Sequence, residues 1–279
     1  MKSLNATQPL KPLCKWSGGK RDEIKEFKRF YPSEFDRYLE PFAGGAAVFF
    51  DLEHGGENVI NDVHPELVNF YYQMALGHSQ EIYDLVSSWG ISEQDYYYVR
   101  GGGKKLPKGS PVFIPSNDIE KAAQFIYLRK TCFRGMIRYN SEGKFNIPWG
   151  KYKSVNFNDL INPRYTSLLE RTTITLGDYS VVFDNYNGPN NFFFIDQPYD
   201  STFSDYGGDD FTRQNQIELF EKFSTSDSKC LMVVGGSPFI RELYQDYIVH
   251  EYPKNYSFKI YAGRVGSEIN VNHLVITNY

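Results

Sequence analysis

Residues 37–62, with the sequence RYLEPFAGGAAVFFDLEHGGENVIND, decide the fold class. A strand runs into a glycine-containing turn, a run with helical spacing follows, and a second short strand ends at Asp62. The segment PELVNFYYQMALG, residues 65–77, predicts a helix that begins at a proline and ends at a glycine. This order of strand, glycine turn, helix, strand and helix is typical of the opening of a doubly wound α/β domain.

The alternation of strands and helices continues in the last third of the chain. TTITLGD, NFFFID and SKCLMVVGG predict strands, TRQNQIELFEKFS and PFIRELYQD predict helices, and the chain ends in strands that finish at HLVITNY. Upstream, residues 20–31 predict one amphipathic helix, because Ile24, Phe27 and Phe30 share a face.

Residues 78–155 interrupt this pattern. They hold a helix predicted near 118–132, a loop rich in glycine and lysine, and a hairpin in which MIRYN and KFNIP flank the turn SEG. We therefore expect an α/β domain formed by residues 1–77 and 156–279, with residues 78–155 inserted as a separate unit.

Composition excludes several classes of protein. With 279 residues, 17% aromatic residues and a net charge of −4, the chain is not intrinsically disordered. Cys14, Cys132 and Cys230 are too few and too far apart for a disulfide framework or a zinc pattern. No run approaches the roughly 18 apolar residues of a membrane span, and the N-terminus lacks the apolar core of a signal peptide. These features predict a soluble intracellular protein without a membrane partner, which is cytoplasmic or, if the protein is viral, lies in a compartment of the host cell.

The charge distribution is uneven. Residues 100–154 contain twelve Lys or Arg and three Asp or Glu, a net charge of +9, whereas the rest of the chain has a net charge of −13. A basic segment on an acidic body indicates contact with nucleic acid. A solvated surface is the alternative, but aromatic residues such as Phe133, Tyr139 and Trp149 lie among the charges, which a merely soluble face does not need.

Polar residues follow the predicted strands where an α/β sheet binds its ligands. Asp196–Tyr199 (DQPY) follows a buried strand and could hold a planar polar group, although Asp and Pro are also common in ordinary turns. Gly44 and Gly45 allow a ligand close to the backbone, and Asp62 is placed for ribose hydroxyls. No dinucleotide or ATP motif is present. The segment KWSGGK, residues 15–20, could bind an anion or a carboxylate.

Taken in order, KWSGGKR, YLEPFAGGAAVFF, VINDVHPELVNFY, LGDY and FFFIDQPY resemble the motifs of the Dam-type (α-group) DNA adenine-N6 methyltransferases. The resemblance runs from about residue 10 to the C-terminus, and CFRGMIRYNSEGKFNIPWGKYK is similar to the family's target-recognition hairpin. It implies a Rossmann-like S-adenosylmethionine-dependent methyltransferase sheet that carries an inserted helical and hairpin DNA-recognition domain. It also implies methyl transfer to N6 of a flipped-out adenine in duplex DNA, with no metal.

The resemblance assigns roles residue by residue. Asp62 matches the ribose-binding acid, and Asp178 and Tyr179 match the pair at the cofactor adenine. Arg138 matches the arginine that recognises a guanine in GATC-specific members, so GATC or a close variant is the expected target. The implied cofactor-binding set is Trp16, Ser17, Gly19, Lys20, Glu40, Phe42, Gly44, Gly45, Asp62, Asp178 and Tyr179. The catalytic set is Asp196, Gln197, Pro198 and Tyr199. The DNA-binding set is Lys104, Lys105, Arg134, Met136, Arg138, Asn140, Pro148 and Tyr152.

Three positions depart from the family pattern. Gln197 replaces the usual proline of the catalytic tetrapeptide, Arg134 replaces an asparagine, and Gly235-Gly236-Ser237 follows a strand where relatives often have a Ser/Asn pair. Two alternatives therefore stay open, a DNA-binding pseudo-enzyme without turnover and a methyltransferase that acts on protein or RNA. We expect a monomer in solution. The sequence does not decide between a restriction system, an orphan regulator and a viral origin.

Overall fold

The computed structural model describes residues 8–103, 106–107, 109–199, 211–255 and 270–279. These residues form one mostly parallel sheet of seven strands in the order β3-β2-β1-β4-β5-β7-β6. Strands β1 to β5 are parallel, and β7 is antiparallel to both β5 and β6. The strands are β1 (Arg37–Glu40), β2 (Glu57–Asp62), β3 (Thr172–Leu176), β4 (Asn191–Ile195), β5 (Lys229–Gly235), β6 (Ile248–Asn255) and β7 (Asn270–Thr277).

Helices cover both faces of the sheet, which confirms the predicted doubly wound, Rossmann-like architecture. The α-helices of the described part of the chain are α1 (Ile24–Phe27), α2 (Ala47–Leu52), α3 (Pro65–Ala75), α4 (Ser79–Ser88), α5 (Glu93–Val99), α6 (Asp118–Thr131), α7 (Pro163–Glu170), α8 (Ser180–Tyr186), α9 (Arg213–Ser224) and α10 (Pro238–Leu243). Within the described ranges, no helix is both long and apolar enough to cross a lipid bilayer.

The core has two parts, one on each face of the sheet. Strand β4 is continuously apolar because both of its faces are buried. Phe192 and Phe194 pack on one face of the sheet, and Phe193 and Ile195 pack on the other. Helix α6 joins the first of these clusters by packing against α3 and α4. The cysteines Cys14, Cys132 and Cys230 are buried and free, as expected for small core residues.

The strand order reverses between β1 and β4, which places a crevice at the carboxyl ends of these two strands. Such a switch point is where open α/β sheets bind ligands. Glu40 ends β1, Asp62 ends β2, and Asp196 directly follows β4. The fold therefore collects the acidic strand ends singled out in the sequence along one edge of the sheet.

Two local predictions need correction. The helix predicted over 20–31 consists of short pieces, with 3-10 turns at Arg21–Glu23 and Lys28–Phe30 on either side of α1. The pieces meet at Glu23 and Phe27, whose φ angles of −102° and −119° are more negative than the usual α-helical value of about −63°. The Glu23 side chain is buried and accepts from the Tyr252 hydroxyl. The hairpin is present, but its arms form isolated antiparallel bridges in place of regular strands, one between Tyr139 and Phe145 and one between Cys132 and Trp149, farther from the turn.

Candidate functional site

A cavity of about 550 Å³ lies at the switch point, within the size range of small-molecule sites. It is lined by the segment before α1, the turn after β1, and the ends of β2, β3 and β4. The structure brings every residue assigned to the cofactor and to catalysis onto this one cavity: Trp16, Ser17, Gly19, Lys20, Glu40, Phe42, Gly44, Gly45, Asp62, Asp178, Tyr179, Asp196, Gln197, Pro198 and Tyr199.

Trp16 packs directly on the glycine turn that follows β1. A Cβ atom at Gly44 would lie 2.6 Å from the Trp16 ring, and Gly44 has a φ of +47°, so only glycine fits there without strain. A Cβ atom at Gly45 would lie 3.1 Å from Trp16 Cβ. The KWSGGK segment and the turn after β1, distant in sequence, therefore form one wall of the cavity.

The Asp62 carboxylate is fixed by the backbone around it. Oδ2 accepts from Gly44 N at 2.8 Å, and Oδ1 accepts from His64 N at 2.9 Å. Burial raises the pKa of Asp62, and these two bonds oppose that rise. Because a carboxylate can accept about four hydrogen bonds, capacity remains for a hydroxyl of a ligand. Asp62 is thus positioned as a rigid acceptor.

Glu40 also lies on the cavity wall, but its bonds tie it to the protein. Oε2 accepts from Phe49 N at 3.2 Å and from the Tyr38 hydroxyl at 3.1 Å, and the residue is buried. Burial raises the pKa of Glu40 well above its usual range. The side chain therefore braces the start of α2 against β1 as well as lining the site.

Aromatic rings form another part of the cavity wall. Tyr179 stacks on Phe42, with ring centres 5.0 Å apart and an interplanar angle of 24°, and Phe211 packs edge-on against Phe42. Asp178, just before Tyr179, accepts from Ser180 N at 2.9 Å. An apolar ring surface beside a carboxylate suits a flat heteroaromatic base with an exocyclic amine.

An ion pair lies at the tetrapeptide Asp196–Tyr199, to which the sequence resemblance assigns catalysis. Lys20 is 1% exposed, and its ammonium group donates to Asp196 Oδ1 and, at 2.9 Å, to the Gly18 carbonyl. The same ammonium lies 5.0 Å from the centre of the Tyr199 ring. Burial raises the pKa of Asp196, and the Lys20 charge opposes that rise. Lys20 therefore keeps an acceptor oxygen and an aromatic face together at the end of β4.

Glu23 and His273 form a buried pair beside Tyr199, and no sequence pattern had indicated either residue. His273 Nδ1 lies 2.6 Å from Glu23 Oε2, and the His273 ring meets the Tyr199 ring edge-on at 5.3 Å. Glu23 also accepts from Tyr252 at 2.9 Å and Lys254 at 2.7 Å. Burial opposes ionisation of Glu23, but the His273 bond and nearby positive charges outweigh it and lower the pKa to about 2.

The predicted DNA-binding residues lie on or near the hairpin, except for Lys104 and Lys105, which fall outside the described residues. Arg138 is exposed and donates from Nε to Asn146 Oδ1 at 2.6 Å, so its guanidinium is oriented. Asn140 organises the turn, because its Oδ1 accepts from the backbone N–H groups of Glu142 and Lys144. Met136 and Pro148 lie at the ends of the two arms, and Arg134 and Tyr152 flank the hairpin, with Arg134 exposed at a φ of 58°.

Three cations of the basic segment serve internal roles. Arg129 is 2% exposed, donates to the Met136 and Lys15 carbonyls, and packs over the Trp16 ring. Arg100 donates to the Ile147 carbonyl at 3.0 Å, and Lys130 donates to the Asn156 carbonyl at 2.9 Å. Part of the net charge of +9 is therefore used inside the protein, because charge counts do not distinguish buried cations from exposed ones.

His64 links the cavity to the hairpin, although the sequence assigned it no role. Its Nδ1 accepts from Leu67 N at 3.3 Å, and burial with the Arg129 charge lowers its pKa to about 4, so the neutral ring carries its proton on Nε2. That nitrogen lies 3.0 Å from the Tyr139 hydroxyl, which donates in turn to Glu66. The only signal in the sequence was its position two residues after Asp62.

Comparisons with known proteins agree with this geometry. A model of D12 class N6 adenine-specific DNA methyltransferases matches residues 16–258. The chain is 48% identical to the Type II methyltransferase M.CviBI of Paramecium bursaria Chlorella virus NC1A, over 97% of this chain and 100% of that protein. It is 30% identical to the Type II methyltransferase M1.LlaDCHI of Lactococcus lactis subsp. cremoris, over 97% and 96%. A DNA adenine methylase of Haemophilus influenzae is 23% identical over 84% and 82%. The chain belongs to the D12 class of N6 adenine-specific DNA methyltransferases, which confirms the predicted family and enzyme class.

Proposed function

We propose that the cavity binds S-adenosylmethionine next to a flipped-out adenine of duplex DNA and that the recognition sequence is GATC or a close variant. The observation that supports this most is the convergence of three strand-end carboxylates, Asp62, Asp178 and Asp196, with two aromatic faces on one cavity. The family implies S-adenosylmethionine as methyl donor and DNA as substrate.

The residues present fit S-adenosylmethionine. The volume of about 550 Å³ suits a ligand of that size, and the carboxylate of Asp62 retains acceptor capacity at the cavity wall. Trp16 and the Gly44–Gly45 turn would hold the methionine part, Asp62 the ribose, and Asp178 with Tyr179 the adenine. S-adenosylmethionine supplies a methyl group activated by a sulfonium.

The target adenine would occupy the other end, at the tetrapeptide. A base inside a duplex is out of reach of such a site, so it has to leave the stack at a cost of a few kcal/mol. Tyr199 would stack on the base, while Asp196 and the carbonyl of Gln197 accept from its amino group. Both acceptors would gain strength as positive charge develops on N6, so they favour the transition state. Lys20, fixed on Asp196, would orient that carboxylate.

Substitution of Asp62 tests the cofactor side. Asp62→Ala is expected to weaken S-adenosylmethionine binding by about 1.5–3 kcal/mol, because a charge-assisted hydrogen bond to a ribose hydroxyl is lost. Isothermal titration of purified, ligand-free protein measures this change. Asp159→Ala, a carboxylate outside the cavity, serves as the control. Unchanged affinity in Asp62→Ala would show that the ribose lies elsewhere.

Residues 78–155 would supply the DNA-recognition unit. Setting aside the three internally bonded cations, nine Lys or Arg remain in residues 100–154. If about half of them contact phosphates, the logarithm of the DNA association constant should fall with the logarithm of salt concentration at a slope of about −4. Fluorescence anisotropy across a salt series measures the slope, and a flat dependence would place the DNA interface elsewhere.

Arg138 is expected to recognise a guanine through a bidentate contact to O6 and N7. Arg138→Ala should cost about 1–3 kcal/mol of discrimination at one base pair. Lys144→Ala, on the same hairpin and with the same change in charge, should weaken all sequences alike. Methylation rates on GATC duplexes with single base changes separate the two effects. If Arg138→Ala lowered the methylation rate equally on every duplex, the result would contradict recognition of a guanine by Arg138.

Sequencing of methylated positions in plasmid DNA treated with the enzyme and S-adenosylmethionine tests the recognition sequence. Methylation confined to the adenine of GATC or a near relative is the expected result. A methylated site without guanine beside the adenine would contradict the role of Arg138. Arg134 is the position from which a shifted preference would arise, because a long cation there adjoins the recognition hairpin.

A further inference from the structure

The side chain of Gln197 packs in the core beneath the catalytic tetrapeptide. Gln197 is 1% exposed, and its Nε2 lies 3.4 Å from Gln216 Oε1 and 3.2 Å from Met232 Sδ. Its Oε1 has no hydrogen-bond partner within the part of the chain that the structure describes. A buried amide lowers stability unless its polar atoms are hydrogen-bonded. The contact with Gln216 therefore matters, because it bonds the amide nitrogen of Gln197.

Gln216 bonds to the backbone of the same tetrapeptide. Its Nε2 donates to the Pro198 carbonyl at 2.9 Å, while its Oε1 faces the Gln197 amide. Gln216 is fully buried in the first part of α9. One side chain that does not itself line the cavity therefore contacts two successive residues of the tetrapeptide.

The start of α9 holds Gln216 in place. Thr212 caps the helix, with its side chain accepting from Asn215 N at 3.3 Å and its N–H donating to Asn215 Oδ1 at 2.9 Å. The Gln216 N–H donates to the Thr212 carbonyl at 3.0 Å. Such a capping box fixes the first turn of a helix, so the amide of Gln216 is presented from a rigid support.

We propose that Gln216 is a positioning residue that fixes the catalytic tetrapeptide by holding the Pro198 carbonyl and the Gln197 side chain. A proline at position 197 would restrict φ covalently, whereas glutamine leaves that rotation free. The clamp formed by Gln216 restricts it through hydrogen bonds. The inference rests on the proposed function, because the groups being positioned are the Gln197 carbonyl and the Tyr199 ring.

The physical reason is the sensitivity of methyl transfer to geometry. Rotation of the backbone at residues 197 and 198 would shift the carbonyl that accepts from the adenine amino group and would tilt the Tyr199 ring. A displacement of about 1 Å can lower a rate by about 100-fold. Binding of S-adenosylmethionine would change little, because Gln216 contacts none of Trp16, Asp62 and Asp178 within the described hydrogen bonds.

Single-turnover methyl transfer in the Gln216→Met variant tests the proposal. Methionine has a similar length and no N–H donor. The transfer rate on a methylatable duplex is expected to fall about 100-fold, with the dissociation constant for S-adenosylmethionine within about 3-fold of wild type. Gln214→Met, the same substitution at an exposed position of α9, should leave both quantities unchanged.

The Gln197→Pro substitution distinguishes positioning from a general structural role. If the clamp substitutes for proline, adding Gln197→Pro to Gln216→Met should recover about 10-fold of the lost rate by fixing φ. A merely structural role would not give this recovery. Should Gln216→Met fail to fold, Gln216→Asn replaces it, because asparagine keeps a buried amide but is too short to bond Pro198. The loss of transfer rate expected for Gln216→Met is then expected for Gln216→Asn.

Three results would overturn the clamp: a rate within about 3-fold of wild type in Gln216→Met, a parallel loss of rate and S-adenosylmethionine affinity, or no recovery with Gln197→Pro. A wild-type chain that transfers no methyl group, with activity restored by Gln197→Pro alone, would also overturn it and would favour the pseudo-enzyme alternative. If neither the wild type nor Gln197→Pro transfers a methyl group to any duplex, that result would instead contradict the proposed function.

Discussion

Asp196→Ala is expected to lower methyl transfer by about 1,000-fold or more while S-adenosylmethionine affinity stays within a few-fold of wild type. Asp196 would accept from the adenine amino group, and that bond strengthens as the nitrogen becomes positive, so its loss appears in turnover. Single-turnover transfer of labelled methyl groups measures the rate, and calorimetry measures cofactor affinity.

The partner of Asp196 supplies the control for this experiment. Asp196→Ala leaves the Lys20 ammonium buried without its carboxylate, which destabilises the protein on its own account. The double variant Lys20→Met/Asp196→Ala removes both charges, and its thermal stability should recover while its activity should not. Activity that returns with stability would show that Asp196 serves folding and not transfer.

Glu23→Ala is expected to lower the free energy of unfolding by about 3–5 kcal/mol at neutral pH, because it removes the buried carboxylate that pairs with both Lys254 and His273. Chemical denaturation measures the loss. Asp22→Ala, one residue earlier and exposed, should change stability by about 0.5 kcal/mol or less. A similar small change in Glu23→Ala would contradict a structural role for this cluster.

The difference in stability between wild type and Glu23→Ala should depend on pH, because the pKa of Glu23 is lowered in the folded protein. The pKa is about 2 in the folded protein against an ordinary value of 4.5, so ionised Glu23 stabilises the folded state above about pH 4.5. This contribution is lost as the pH falls from 4.5 towards 2. The difference in stability between wild type and Glu23→Ala should therefore shrink over that range, and a constant difference would contradict the ionised state.

The strand ends of the site could be predicted from sequence because parallel strands place their carboxyl ends together. Asp62 and Asp196 each follow a short apolar run, and the alternation of strands and helices puts both at one edge. The same logic does not extend to Glu23 or His273. Their pairing joins the start of the chain to β7, and no local pattern encodes a contact over 250 residues.

The helices of residues 78–155 show a second limit. Helix α6 lies where a helix was predicted, near 118–132, and the structure shows that the Asn117 side chain caps it. Helices α4 and α5 were not, since short helices rich in polar and aromatic residues take their stability from tertiary packing. Charge counts likewise identified a basic segment but could not show that Arg129 lies buried against Trp16.

Gln197 illustrates a third limit. The sequence marked it as a departure from a motif, which left reduced activity and loss of activity as open outcomes. Only the packed structure brings Gln216 beneath it and bonds that residue to Pro198. Compensation of this kind depends on where α9 lies relative to β4, which neither segment specifies alone.

The most direct test of the proposed function is nucleoside mass spectrometry of duplex DNA incubated with the enzyme and S-adenosylmethionine that carries a deuterated methyl group. The labelled methyl group is expected on N6 of adenine, and Asp196→Ala is expected to remove this product while the enzyme still binds the cofactor. Label on a cytosine, or on no base while cofactor and DNA both bind, would contradict it.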